Sequence, residues 1–307
     1  MVDTKSIPPP LRQASTVILA RENNNTVEVY LLRRSTKSGF MGGLYVFPGG
    51  VVDPEDLGID AWAPNIDMAP EQLGEHLGGG TLSNEDALGF GIAAIRETLE
   101  EAGVLIASCE DKTLEDMDRI ASYRLNAHLP KSWFRTRMMN ENWIVSLSSL
   151  GRWSHWVTPE LMKKRFDTRF FIVPMPGNQT CAPDCLETDH GIWLSPAAAL
   201  EQNLDAKTPL SPPTVVTLTQ LSGFTSLDSI RHEIQTRPRS APIAPRLVQC
   251  PNGPLILEPW DPAFDSHEEI DTSDLSKKVL PPGAWFSRIW CDKGIWKPVL
   301  CTGADRL

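Results

Sequence analysis

From Gly89 to Gly103 the chain carries three glutamates, Glu97, Glu100 and Glu101, at a spacing that puts them on one face of a helix, with Ile92, Ile95, Leu99 and Ala102 on the opposite face. Like charges at i, i+3 and i+4 repel one another, so an isolated helix gains nothing by collecting them. A divalent cation reverses that sign, because hard cations such as Mg²⁺ take carboxylate, phosphate and water oxygens. Two readings follow, a solvated acidic surface or a metal site.

The upstream sequence favours the second. Phe47-Pro48-Gly49-Gly50 follows the apolar run Leu44-Tyr45-Val46 and sets a glycine pair where backbone must pass close to something. Together with Arg96-Glu97-x-x-Glu100-Glu101-x-Gly103-Val104 it resembles the Nudix hydrolase family, whose box reads Gly-x5-Glu-x7-Arg-Glu-U-x-Glu-Glu-x-Gly-U with U apolar. Thr98 stands at the first U. Counted from Gly50, the first acid is Asp56, or Asp53 in a shifted alignment. The arginine, due at position 64, stands at 96, so the box carries an insertion of 32 residues. The resemblance implies that the first acid supports the loop rather than holding metal.

Arg33-Arg34-Ser35 before Met41-Gly42-Gly43, and the run from Trp156 to Pro159 followed by Arg165-Phe166-Asp167-Thr168-Arg169-Phe170-Phe171, are similar to one Nudix subgroup. That subgroup is the coenzyme A diphosphatases related to the mammalian peroxisomal type. The resemblance covers about residues 12–225. It implies an α/β fold, a Nudix-like α/β/α sandwich with a mixed β-sheet, and metal-dependent hydrolysis of a diphosphate linkage. Coenzyme A or acyl-coenzyme A would yield 3′,5′-ADP and (acyl-)4′-phosphopantetheine. Other Nudix substrates (a nucleotide sugar, a dinucleotide, capped RNA) and a non-catalytic Nudix-fold binding protein stay open; the retained repelling acids speak against the last.

By the same resemblance Glu97, Glu100, Glu101 and the Gly50 carbonyl are the metal ligands, with Mg²⁺ or Mn²⁺ as cofactor. Glu97 ligates or takes the proton from water, and Arg96 orients it. Glu187, on a predicted loop, is either a further site acid or an ordinary exposed carboxylate. Arg34, Arg165 and Arg169 are candidates for phosphate contacts because guanidinium forks match phosphate oxygens, although Arg165-Asp167-Arg169 equally reads as an ion cluster. Trp153 and Trp156 read either as core or as a surface for stacking adenine.

A net charge of −10 argues against nucleic acid or an anionic membrane as partner, since either needs a basic footprint. The expected partner is a small nucleotide such as coenzyme A; a homodimer is compatible with the sequence. No stretch reads as a signal peptide or a membrane span. Six cysteines in a long chain read as reduced thiols, and Cys181-x3-Cys185 with His190 lacks the second ligand pair of a zinc site. The ending Asp305-Arg306-Leu307 departs from Ser-Lys-Leu at two positions, so the expected address is cytoplasmic.

The chain is expected to divide into a tail (1–11), a Nudix hydrolase domain (12–237) with residues 53–90 as an insertion, and a C-terminal extension (238–307) packed on it. Residues 53–90 hold nine acids and, to that point, no Lys or Arg, and read as an excursion whose acids turn away from the phosphates. Ala14–Ala20 and Val27–Arg33, split by asparagines, predict a hairpin. Ser83 with Asp86 and Gly103 predict the two caps of the acidic helix.

Overall fold

The hairpin forms as β1 (Leu11–Asn23) and β2 (Thr26–Arg34). Asn24 and Asn25 take φ of 49° and 58°, the left-handed pair that lets a two-residue turn follow the twist of its strands. The computed structural model describes residues 9–37, 41–126, 128–237, 241–266 and 270–300. Cys301 and the ending at 305–307 lie outside these described residues, as does most of the 1–11 tail.

β3 (Tyr45–Val46) and β4 (Gly49–Val51) follow the hairpin, β5 (Ala107–Ser108) and β6 (Ile144–Val145) form a separate ladder, and β7 (Gly151–Val157), β8 (Arg165–Pro174) and β9 (Thr188–Leu194) complete the main sheet. Its order is β3-β2-β1-β8-β7, with β4 added to β1 and β9 to β2. β1 and β8 run parallel, from Leu11 opposite Arg165 to Ala20 opposite Pro174, and the other pairs are antiparallel. The sheet is therefore mixed. Alternation along β1 sends Val17 and Leu19 into one core and Ile18 and Ala20 into another, so both faces are covered.

The helices are α1 (Ile59–Trp62), α2 (Leu73–Gly78), α3 (Asn84–Ala102), α4 (Leu114–Tyr123), α5 (Trp133–Asn140), α6 (Pro196–Leu204), α7 (Pro212–Leu221) and α8 (Leu227–Thr236). Those in the first half of the chain lie with the first core, whereas α6, α7 and α8 supply Ala199, Leu200, Val215, Leu218 and Ile230 to the second. The acidic helix is α3. The Ser83 side chain accepts from the Asp86 N–H, and Gly103, at φ 73°, ends the helix with its N–H on the Leu99 carbonyl. The apolar face holds Ile92, Ile95, Leu99 and Ala102 as expected, but Arg96, Thr98 and Glu101 are buried as well. Thr98 meets that burial by donating its hydroxyl to the Ala94 carbonyl at 2.7 Å.

Residues 53–90 are not a peripheral excursion. Trp62, Leu73 and Leu77 are fully buried in the same core as α3, so the segment enlarges that core. Several of its acids cap backbone: Glu85 accepts from the N–H groups of Gly58 and Ile59, and Asp67 from that of Ser148.

Beyond α8 the chain builds a four-stranded antiparallel sheet from β10 (Arg246–Val248), β11 (Leu255–Leu257), β12 (Arg288–Asp292) and β13 (Ile295–Val299). It is joined to the main sheet at the edge of β7, where Ile243 exchanges backbone hydrogen bonds with His155 and Val157. One face packs Ile256, Phe286 and Ile289 into the second core, and the other closes a small core of Leu255, Leu257, Leu275, Trp290 and Val299. Among the described residues no helix is long and apolar enough to cross a membrane.

Candidate active site

The glycine pair lies against α3. The Gly49 N–H donates to Glu101 Oε2 at 2.9 Å, and a Cβ on Gly50 would fall 2.3 Å from the Glu97 carboxylate. A Cβ on Gly49 would meet the Ser15 carbonyl at 2.2 Å. Glycine is required here because backbone, carboxylate and strand β1 converge within contact distance.

Arg96 is the hub of the site. Its Nε and Nη2 form a two-point contact with Asp56, each at 2.8 Å, and Nη2 also donates to the Val51 carbonyl at 2.9 Å. Nη1 donates to Glu97 Oε1 and to Glu100 Oε2, both at 2.8 Å. Asp56 is 1% exposed and holds the loop further by accepting the Asp53 N–H. Of the two candidates for the first acid, Asp56 thus stands where a loop-supporting residue must, with the inserted residues between it and Arg96 packed into the first core. The other oxygen of Glu100 accepts from the Trp133 indole N–H at 2.6 Å. The Glu100 backbone carbonyl accepts from Arg124, which also reaches the Ala182 carbonyl.

Burial dominates the electrostatics. It pushes the Glu97 carboxyl up to about 7 against the lowering pull of Arg96, and Glu100 and Glu187 add repulsion. Glu101 is raised well above the carboxylate range by burial and by Glu97, with the Gly49 N–H and Arg34 opposing. These hard oxygen donors, crowded against a glycine backbone, suit a divalent cation. Among the described residues no three acidic, histidine or cysteine side chains close on one point as they stand, because Glu97 and Glu100 turn to Arg96. A bound ion would take those oxygens together with phosphate and water oxygens.

A cavity of about 770 Å³ opens from this cluster and is lined by Gly50, Arg96, Glu97, Glu100, Glu187 and Arg34. Glu101 is not on its wall; it sits beneath, bonded to Gly49. Among the described residues Arg34 Nε is buried without a hydrogen-bond partner. Glu187 reaches the cavity from the loop before β9, a loop stitched by Asp184 to the N–H groups of Leu186, Glu187 and Thr188. Arg165 and Arg169 do not reach it. On β8 the residues Phe166, Thr168 and Phe170 line the cavity, so strand alternation turns their odd-numbered neighbours to the other face. There Arg165 donates to the carbonyls of Thr158 and Pro9, and Arg169 lies over the Phe90 ring beside Asp167. Only Arg169 keeps to the ion-cluster reading, 3.9 Å from Asp167, while Arg165 is held by backbone carbonyls; neither lines the cavity, so the expectation of phosphate contacts from these two is corrected. Trp156 lines the cavity, whereas Trp153 packs in the core and donates to Gln220.

Residues not anticipated include Arg12, Lys131 and Lys164, all on the cavity wall. They come from three distant segments without a shared pattern; only the alternation of β8 pointed to the face in question. Among the described residues Cys181, Cys185 and His190 do not gather into a group that could hold a metal ion, and Nδ1 of His190 meets the Tyr45 hydroxyl. One further buried acid lies off the cavity. Glu258, just past β11, is fully buried with both oxygens unpartnered among the described residues, and burial lifts its carboxyl to about 8.

Comparison with known proteins fits this geometry. Residues 11–221 match the family model of the NUDT19 Nudix domain. The acyl-coenzyme A diphosphatase NUDT19 of Xenopus laevis is 27% identical over 91% of this chain and 84% of its own, and that of Homo sapiens 27% identical over 84% and 79%. A crystal structure of a Nudix hydrolase from Alicyclobacillus acidocaldarius superposes with a TM-score of 0.56 at 21% identity, over 76% of this chain and 99% of that one, and shares its fold. With Asp56, Arg96 and the α3 acids assembled around Gly50, the chain belongs to the NUDT19 Nudix domain family and is a Nudix pyrophosphohydrolase.

Proposed function

We propose that the protein hydrolyses the diphosphate linkage of coenzyme A or acyl-coenzyme A, with Mg²⁺ or Mn²⁺, to 3′,5′-ADP and (acyl-)4′-phosphopantetheine. The observation that carries this reading is the cluster of carboxylates at the head of a cavity whose walls also bear cations. Glu97, Glu100 and Glu187 face the cavity with Glu101 beneath, while Arg96 is occupied by Asp56. The resemblance of the sequence to coenzyme A diphosphatases, and the activity named for the frog and human relatives, supply the substrate class.

Glu97, Glu100, Glu101 and the Gly50 carbonyl are the groups that would hold the cation. When bound, it would neutralise charge on the transferring phosphoryl group and acidify a water. Glu97 ligates the cation or takes the proton of the attacking water, and Arg96 fixes its orientation through Oε1. Arg34, with an unsatisfied Nε, together with Arg12, Lys131 and Lys164, would hold the diphosphate and the 3′-phosphate.

The test is hydrolysis of a panel of coenzyme A, decanoyl-coenzyme A, ADP-ribose, dinucleotides and capped RNA with Mg²⁺ or Mn²⁺, products being resolved by chromatography. Release of 3′,5′-ADP from the first two, with the highest kcat/KM, is expected. Preference for ADP-ribose or a dinucleotide would move the protein to another Nudix substrate.

A further inference from the structure

The cavity wall does not end with the family domain. Pro245, Leu247, Ile256 and Trp296 line it, and all four lie in the C-terminal sheet or its approach, past the residues that match the family model. Leu247 and Ile256 are directly opposed across β10 and β11. Alternation turns them to the second core, while Val248, Leu255 and Leu257 face the small core behind. Trp156 and Phe170 of the main sheet line the same cavity and belong to the same core.

This wall offers little to a polar group. Pro245, Leu247, Ile256 and Phe170 carry no hydrogen-bonding side-chain atom, and the Trp156 indole N–H already donates to Ser154 Oγ, which leaves the Trp296 indole N–H as the single side-chain donor of these six. A nucleobase needs donors and acceptors along its edge, whereas a hydrocarbon chain needs only dry apolar surface. The same cavity holds the acids of α3 and six cationic side chains, so it combines walls for a charged group with a wall for an apolar one.

We infer that the C-terminal sheet is a specificity element, its Leu247–Ile256 pair and Trp296 receiving the acyl chain of an acyl-coenzyme A while the diphosphate lies at α3. This rests on the reading of the substrate as a coenzyme A derivative. The nucleotide end of the substrate is bound elsewhere in the cavity.

Calorimetric binding to the full-length chain in chelator-containing buffer tests this without turnover, using decanoyl-coenzyme A, coenzyme A and 3′,5′-ADP as ligands. The unmodified protein should bind decanoyl-coenzyme A at least about tenfold tighter than coenzyme A. Leu247→Gln should remove about fivefold or more of that preference while leaving coenzyme A and 3′,5′-ADP within about twofold. Leu247→Trp, which keeps the wall apolar but fills it, should weaken decanoyl-coenzyme A more than butanoyl-coenzyme A. Thermal unfolding shows that each variant is folded, and a failure of the first to fold leaves the second to decide.

Equal affinity of the unmodified protein for the acylated and free forms, or an equal loss for every ligand in the variants, overturns the inference. So does weakened 3′,5′-ADP binding, which would make the wall a base site. Coenzyme A hydrolysis with Mn²⁺, followed in parallel, tests the underlying reaction. Its absence would remove that reaction and leave the binding result standing.

Discussion

Two buried carboxylate sites in this molecule have the same electrostatic sign and opposite surroundings. On α3, Glu97 and Glu101 are raised by burial, yet oxygens of both are held by a donor, Arg96 in one case and the Gly49 N–H in the other. In the C-terminal sheet, Glu258 is raised by burial alone, with neither oxygen partnered and no place on the cavity wall. A raised carboxyl therefore marks a site only where geometry supplies the rest: neighbouring acids, oriented donors and an opening to ligand.

The comparison breaks most directly through charge removal. Glu100→Gln or Glu101→Gln should lower kcat with Mg²⁺ on the order of a hundredfold or more with the fold intact, because each loses a ligand charge at nearly constant volume. Glu258→Gln should leave kcat unchanged. Activity retained in the α3 variants, or lost in the Glu258 variant, would reverse the roles assigned to the two sites.

Next in size is the support beneath the site. Asp56→Ala leaves Arg96 buried without its two-point partner and should cost about 3–5 kcal/mol in denaturant unfolding, with activity falling even where the protein is folded. A loss under about 1 kcal/mol would mean that Glu97 and Glu100 suffice to hold the guanidinium.

The pH dependence of stability sharpens the contrast further. Below about pH 4.5 Glu258 is protonated folded or unfolded and contributes no slope. Between there and about pH 8 the unfolded chain ionises while the native carboxyl keeps its proton, so stability falls as pH rises, by a few kcal/mol in all. Urea unfolding at pH 5 and pH 9 should show a smaller decline for Glu258→Gln than for the unmodified protein. The smallest effect belongs to Trp133→Phe, which keeps the ring but withdraws the N–H from Glu100. It should weaken Mn²⁺ binding by about tenfold, read by calorimetry.

How much of this was legible followed the range of the interaction. Asn24 and Asn25, the Ser83 cap and Gly103 act within a few residues, and the hairpin and α3 formed as their chemistry requires. The spacing from Gly50 to Asp56 was readable because the loop support sits at a fixed offset, although only coordinates separated it from Asp53. The Trp133 contact to Glu100 spans 33 residues and leaves no periodic trace. Arg165 and Arg169 were misplaced by attending to charge and not to alternation, since Phe166, Thr168 and Phe170 already marked the opposite face. The acidity of residues 53–90 likewise hid Trp62, Leu73 and Leu77, whose apolar surface decides where that segment packs.

The contact between Asp56 and Arg96 ties together the two ends of a 40-residue stretch. The entropy of closing such a loop grows only with the logarithm of its length, about 0.6 kcal/mol per doubling. That weak dependence belongs to the exposed turns of the stretch, since Trp62, Leu73, Leu77 and the first turns of α3 within it are packed in the core. Residues can be added or removed in those turns at small thermodynamic consequence, provided that the fixed points at 56 and 96 and the apolar anchors between them stay in register. The guanidinium–carboxylate clasp thus acts as a boundary that isolates the reacting centre from variation in the chain it encloses.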